Sequence, residues 1–185
     1  MRVLSIPPAL VCALLFLPAI SRPLAAQREW TAELFMGGAA NAKTPLTIYQ
    51  AGQPDIHIMA EWSTNPMTGS PYYAFRIARW NGDAAWGVDF THHKLYLDNT
   101  TAEVEHFELS HGYNLLHVSR IWRRNDWNWS AGAGVVVTHP ENTVRGLELY
   151  PESGGTLGGG YYLDGISFLG ALGRQQRIGD TFFLS

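Results

Sequence analysis

The sequence has almost no cysteine: Cys12 is the single thiol in 185 residues. One thiol cannot form a disulfide within the chain, and a Cys-type zinc site cannot be built from it. Long apolar runs are equally scarce. Beyond Ile20 no stretch reaches the about 20 residues that a membrane-spanning helix needs. Basic charge is also in deficit, with 13 Lys and Arg against 16 Asp and Glu. That balance lacks the basic footprint of a nucleic-acid binder. Internal repeats, low-complexity tracts and extended helical periodicity are missing as well.

What is present begins with a leader. Met1-Arg2 supplies positive charge, Ala9 to Ile20 is apolar, and Leu24-Ala25-Ala26 offers small residues for a signal peptidase. This three-part layout is that of a secretory signal. Cleavage is expected after Ala26, giving a signal peptide over 1–26 and one exported domain over 27–185. Cys12 lies inside the apolar run rather than at the cleavage point, so a lipid anchor there is not expected. Without the leader the chain carries a net charge of −5 and no cysteine.

Alternation of apolar and polar residues sets the expected fold. In 127–137, Trp127, Trp129, Ala131, Ala133, Val135 and Val137 share one parity, and Asn128, Ser130, Gly132 and Gly134 the other. Side chains alternate across a strand, so this is a strand with one apolar and one small, polar face. The same holds for Trp30, Ala32, Leu34 and Met36 against Thr31, Glu33 and Phe35. It holds for Ile56, Ile58, Ala60 and Trp62 against His57, Met59 and Glu61. Tyr73, Phe75 and Ile77 oppose Arg76 and its neighbours, and Trp86, Val88 and Phe90 oppose Gly87, Asp89, Thr91 and His93. Segments 105–122 and 160–173 read as long strands, and Leu46–Gln50 and Thr181–Leu184 as short ones. Turn-rich stretches separate them.

These features predict an all-β chain, an antiparallel up-and-down transmembrane β-barrel of about 8–10 strands. Tryptophans fall mostly at strand ends, as in an interfacial aromatic belt. Glu33, Glu61, Arg76, Asp89, Glu108 and Arg120 are expected to face a polar lumen. The rival is a secreted soluble β-domain. The chain ends within a strand at Phe182-Phe183-Leu184-Ser185. Barrels have even strand numbers and no edges, so one or more closing strands are expected to be missing and a long edge exposed.

Polar residues concentrate in Asp89–Tyr96 and Phe107–Leu116. By parity, Asp89, Thr91 and His93 share the lumen face of one strand, and Glu108, Ser110 and Asn114 that of the next. One reading is a hydrogen-bonded plug that stiffens the barrel. The other is a carboxylate–imidazole site, with Asp89, His93 and Glu108 as ligands for a divalent metal or as acid–base partners.

Several blocks carry a family resemblance. Pro71-Tyr72-Tyr73 with Arg76 and Trp80, and Phe90-Thr91-His92 with Lys94 and Tyr96, form two of them. A third is Phe107-Glu108-Leu109-Ser110 with Gly112, Asn114 and Leu115. Gly132-Ala133-Gly134 with His139-Pro140, and Tyr162-Leu163 with Gly165, follow in order. Over roughly 45–175 the chain resembles the outer-membrane lipid A oxidases and their uncharacterised relatives. The resemblance implies a bacterial outer-membrane barrel that oxidises the proximal glucosamine of lipid A with oxygen and a metal. It carries His92, Lys94 and Asn114 as site positions. His93 and Glu108 join the candidate catalytic set from the parity argument, which itself points His92 toward lipid. The chain departs from the oxidases at His111, where they have Asp.

A second resemblance rests on His117-Val118-Ser119, which looks like the His-x-Ser dyad of lipid A 3-O-deacylases, read here as facing lipid. Arg120 replaces the usual Asn, and the nearest acid downstream is Glu141. The remaining alternatives are a non-catalytic structural or interaction barrel and a narrow channel. In each case the expected partners are outer-membrane lipids and lipopolysaccharide, with the protein a monomer.

Overall fold

In the computed structural model the described residues are 2–3, 29–65, 72–149, 154–178 and 182–184. The expected leader and its expected cleavage point lie outside them, apart from Arg2-Val3. The described chain is all-β, without a helix, and every ladder is antiparallel. In chain order the strands are β1 (Arg2–Val3), β2 (Glu29–Met36), β3 (Thr44–Tyr49), β4 (Ile56–Ala60), β5 (Trp62–Ser63), β6 (Tyr73–Asn81) and β7 (Ala84–Leu97). They continue as β8 (Val104–Arg124), β9 (Trp127–Thr138), β10 (Glu141–Val144), β11 (Leu147–Leu149), β12 (Tyr162–Arg174), β13 (Gln176–Ile178) and β14 (Phe182–Leu184).

Six of these strands form a meander in the order β2-β6-β7-β8-β9-β12. Two tight turns set its register. Gly82-Asp83 joins β6 to β7 and makes Asn81 face Ala84, and Asn125-Asp126 joins β8 to β9 and makes Arg124 face Trp127. Both turns place a residue at positive φ, Gly82 at 61° and Asn125 at 54°, as short hairpin turns demand. Among the described residues β2 pairs only with β6, and β12 only with β9. The sheet is therefore open between β2 and β12.

The open sheet is strongly curled. Arg76 Nη2 on β6 donates to Ser130 Oγ on β9 at 3.2 Å. In a flat sheet these strands would stand three spacings of about 4.8 Å apart. Residues of β2 and β12 also line one small hollow, of about 40 Å³, through Glu33, Phe35, Leu169 and Ala171. Close approach of β9 to β8 helps make the curvature. A Cβ on Gly134 would lie 1.9 Å from the Leu116 carbonyl oxygen, and one on Gly132 would lie 2.7 Å from that of Val118. Glycine inside a strand commonly marks such a bend.

Along the long strands the two faces exchange polarity. In the lower tier, near the two tight turns, the convex face is apolar: Trp86, Val88 and Phe90 on β7, Leu116, Val118 and Trp122 on β8. The concave face there carries Glu33, Arg76, Asp89, His117, Ser119 and Ser130. In the upper tier the order reverses. Leu95, Leu97, Phe107, Leu109 and Tyr113 turn inward and pack with Leu46, Ile48, Ile56, Ala60, Trp62, Val104, Val136 and Val144 as one core. The outward positions become His92, Lys94, Tyr96, His106, Glu108 and Asn114. The β3–β4 hairpin lies against this core, held in part by Trp62 Nε1 donating to Thr44 Oγ1 at 2.8 Å.

Several alternation expectations match this arrangement: the faces of 30–36, 72–78, 86–91 and 127–137. Two need correction. The apolar side of 56–62 turns into the upper core, because in the upper tier the inside is dry. Tryptophans also divide: Trp30, Trp86, Trp127 and Trp129 are exposed on the convex face, while Trp62 and Trp80 are buried.

Candidate functional site

The concave face of the lower tier is built around one cation. Arg76 Nε donates to Asp89 Oδ1 at 2.5 Å, and Arg76 Nη1 stands 3.8 Å from Glu33 Oε2. The Ser119 hydroxyl donates to the second Asp89 oxygen. With Ser130 on the guanidinium, Asp89 is held from β6 and β8 together, and Arg76 from β7 and β9. A low-dielectric setting makes each of these contacts strong and an unmatched charge costly. His117, directly opposite Asp89 in the ladder, shares a hydrogen bond of 2.9 Å between its Nε2 and Ser167 Oγ on β12. Below, Ala78, Trp80, Ala85 and Ile121 close the interior.

Aromatic rings cap this polar layer. His93 meets Tyr72 edge-on at 5.3 Å and Tyr113 at 5.8 Å, and its Nε2 is 3.0 Å from Asn41 Oδ1. Burial, with the adjacent His92 acting in the same direction, pushes the His93 imidazole pKa down to about 4. The ring is therefore neutral in the folded protein at pH 7. An unfolded chain takes up this proton near 6.5 and the folded one near 4, so folding stability falls as pH drops through that window. Wild type is expected to lose about 2–3 kcal/mol more than His93→Gln between pH 7 and pH 4. Urea unfolding of both at the two pH values measures this, and equal losses would contradict it.

The remaining candidates gather on the opposite, convex face of the upper tier. His92 Nδ1 and Asn114 Oδ1 are 2.9 Å apart, and the His92 ring stacks on Tyr73 at 5.3 Å. Glu108 is cross-strand from Tyr96 on one side and from Glu141 on the other. It also meets His106 Nε2 at 3.2 Å. Lys94 lies on the same face of β7 and is buried. Burial lowers its ammonium pKa and Glu108 opposes that shift. Glu141 also bonds to His111, whose ring lies 5.7 Å from that of His139.

The expected metal set Asp89, His93 and Glu108 is thus divided. Asp89 and His93 point inward at different heights, and Glu108 points outward. Among the described residues no group of three or more His, Cys, Asp or Glu could hold a metal ion. These three residues do not fit a divalent metal as one site.

The register also corrects the shared lumen face assigned to Glu108 and Asn114. The concave positions of β8 are 107, 109, 113, 115, 117, 119 and 121, because Asp89 faces His117 and Leu95 faces Leu109. A bulge over 110–112, with Gly112 at φ 148°, absorbs two residues without changing parity. Glu108 and Asn114 stand on the convex side with His92. His117 and Ser119 are buried inside, so the His-x-Ser pair does not face outward. Nor is it a dyad, since His117 partners Ser167 and Ser119 partners Asp89. Arg120 is on the convex face over Trp86. Alternation marks Arg76 and Asp89 as inward charges, but it carries no signal for their pairing or for the part of Ser119 and Ser130 in it.

Fold and site together define an all-antiparallel β protein with a curled sheet, an ion-paired interior and a polar outer cluster. Compared with protein-family models, curated proteins and solved structures, the chain matches none of them.

Proposed function

We propose that this chain is a transmembrane β-barrel protein of the bacterial outer membrane that acts at the headgroup of lipid A. The observation that carries the reading is the exchange of face polarity along β7 and β8. A soluble domain has no reason to put Trp86, Val88, Leu116 and Val118 outside and Arg76, Asp89 and Glu33 inside, whereas a strand crossing lipid does. The spanning parts are the lower-tier segments, ending on β7 at Thr91 and on β8 at Leu115. On β9 the apolar convex run from Trp127 to Val137, at about 3.4 Å per residue and a tilt of about 40°, is roughly 25 Å tall. That height suits the apolar band of such barrels. Tight turns at the lower end and long connections at the upper end support a periplasmic lower end and an outer upper end.

In this orientation His92, Lys94, Glu108 and Asn114 lie where the convex wall turns from apolar to polar, the level of lipid A sugars. The resemblance to lipid A oxidases implies oxidation of the proximal glucosamine there. Since Asp89, His93 and Glu108 are divided between two faces, no metal-dependent step is assigned to them. A non-catalytic, structural barrel is the second reading, supported by the burial of His92 and Lys94 among partners. A channel has less support, because ion pairs cross the interior and the hollow beside them is about 40 Å³.

Mass spectrometry of lipid A from a Gram-negative host expressing the chain tests the enzymatic reading. A species carrying one added oxygen is expected, lost with His92→Ala or Asn114→Ala. An unchanged profile in cells with folded wild-type protein in the outer membrane would overturn it and leave the structural barrel.

A further inference from the structure

Near the two tight turns the convex wall carries a cross-strand row that the lipid A reading does not use. Trp30 faces Arg79, Arg79 faces Trp86, and Trp86 faces Arg120, on β2, β6, β7 and β8 in turn. Indoles and guanidiniums thus alternate along one line. Arg79 lies over the Trp30 ring at 5.7 Å and Arg120 over the Trp86 ring at 5.4 Å. Such contacts hold a cation in place while leaving its N–H edge free to donate. Among the described residues neither arginine has a carboxylate within 4.0 Å, although Arg76, Arg123, Arg145 and Arg174 all do. Between them opens a hollow of about 450 Å³, lined by Arg79, Trp80, Asn81, Ala84, Trp86 and Arg120. Two cations without a carboxylate in reach, set on the lower half of an apolar wall around a hollow of that size, call for an anion attached to an apolar body.

We propose that this hollow binds the phosphodiester headgroup of a glycerophospholipid, with Arg79 and Arg120 donating to the phosphate and Trp86 lying along the glycerol and upper acyl region. The inference rests on the membrane-spanning reading, and the lower position commits it to the periplasmic leaflet, where phospholipid rather than lipid A is the neighbour. Arginine suits the task, since its planar fork matches phosphate geometry.

The test uses the full chain folded into detergent micelles and into liposomes. Native mass spectrometry compares retention of phosphatidylglycerol with that of a diacylglycerol having the same acyl chains but no phosphate. Phosphatidylglycerol is expected to be retained preferentially. The preference should fall roughly tenfold in Arg79→Gln/Arg120→Gln and recover in part in Arg79→Lys/Arg120→Lys. Inorganic phosphate at millimolar concentration is expected not to displace the lipid, and displacement would show that the site takes a free anion instead. Equal retention of the two lipids by wild type would overturn the proposal. Should the double variant fail to fold, wild type alone decides. Bromine near the phospholipid glycerol should quench fluorescence that disappears in Trp86→Phe, and the same quenching from diacylglycerol would count against the site. Failure of wild type to insert into liposomes would overturn the spanning reading and this inference with it. Insertion without a phosphate preference would overturn this inference alone.

Discussion

Arg76→Met is expected to remove about 3–5 kcal/mol of folding free energy, the range for breaking a buried ion pair from one side. The side chains of Arg76 and Asp89 are only 10% and 9% exposed. Without the guanidinium, Asp89 keeps one neutral donor, the Ser119 hydroxyl, and Glu33 loses its nearby cation. Ser130 loses its partner as well. Arg76→Lys should lose less, because the charge remains while the reach to both Asp89 and Ser130 is reduced. Neutralising the opposite side tests the cause: Arg76→Met/Asp89→Asn should be more stable than Arg76→Met alone. Urea unfolding followed by tryptophan fluorescence measures all three. A loss below about 1 kcal/mol for Arg76→Met would mean that this interior is wet, with the charges solvated rather than paired.

Val118→Arg is expected to cost about 2–4 kcal/mol when the protein is folded in a bilayer, as a cation at the mid-height of a lipid-facing wall does. Val118 is 57% exposed and belongs to none of the core clusters. In a soluble domain the same change at so exposed a position would shift stability by no more than about 0.5 kcal/mol in either direction. The two expectations do not overlap, so one variant separates a lipid-facing wall from a water-facing one. Glu105→Arg provides the comparison, since Glu105 is exposed on the upper tier of the same strand, outside the segment proposed to span lipid. Its effect should be small. Folding yield into liposomes and the urea midpoint there report both.

Much of the lower tier was legible in the sequence because most strands there carry a single strong contrast between their faces. Residues 127–137 and 86–91 show it most clearly, and both settle as the pattern predicts. The face assignment failed on β8. Both parities of that strand carry apolar residues, Phe107, Leu109 and Ile121 on one and Leu116, Val118 and Trp122 on the other, so alternation alone cannot choose between them. Register could have chosen. The Gly82-Asp83 turn pairs Asn81 with Ala84, and counting back along the hairpin brings Arg76 opposite Asp89. The Asn125-Asp126 turn pairs Arg124 with Trp127 and brings Ser119 opposite Gly132, on the small, inward face of β9. Tight turns fix pairing, and a one-residue slip would turn every side chain to the other face. The polarity exchange was also written in the sequence, in the passage from Trp86-Val88-Phe90 to His92-Lys94-Tyr96 at one parity. Assuming that one face keeps one character along its whole length concealed it. Contacts between distant segments, such as Arg76 with Ser130 or His117 with Ser167, depend on curvature, and a linear pattern contains no measure of that.

Whether the convex wall of the lower tier faces lipid can be decided with single thiols. Cys12 is the single cysteine of the sequence, so single thiols can be placed at will on a Cys12→Ser background. The decisive measurement is the rate at which a membrane-impermeant maleimide labels Val118→Cys and Glu105→Cys in protein folded into liposomes. Rapid labelling is expected at 105 and almost none at 118 until detergent dissolves the bilayer and urea unfolds the protein. Equally rapid labelling at both positions, in intact liposomes holding folded protein, would contradict it.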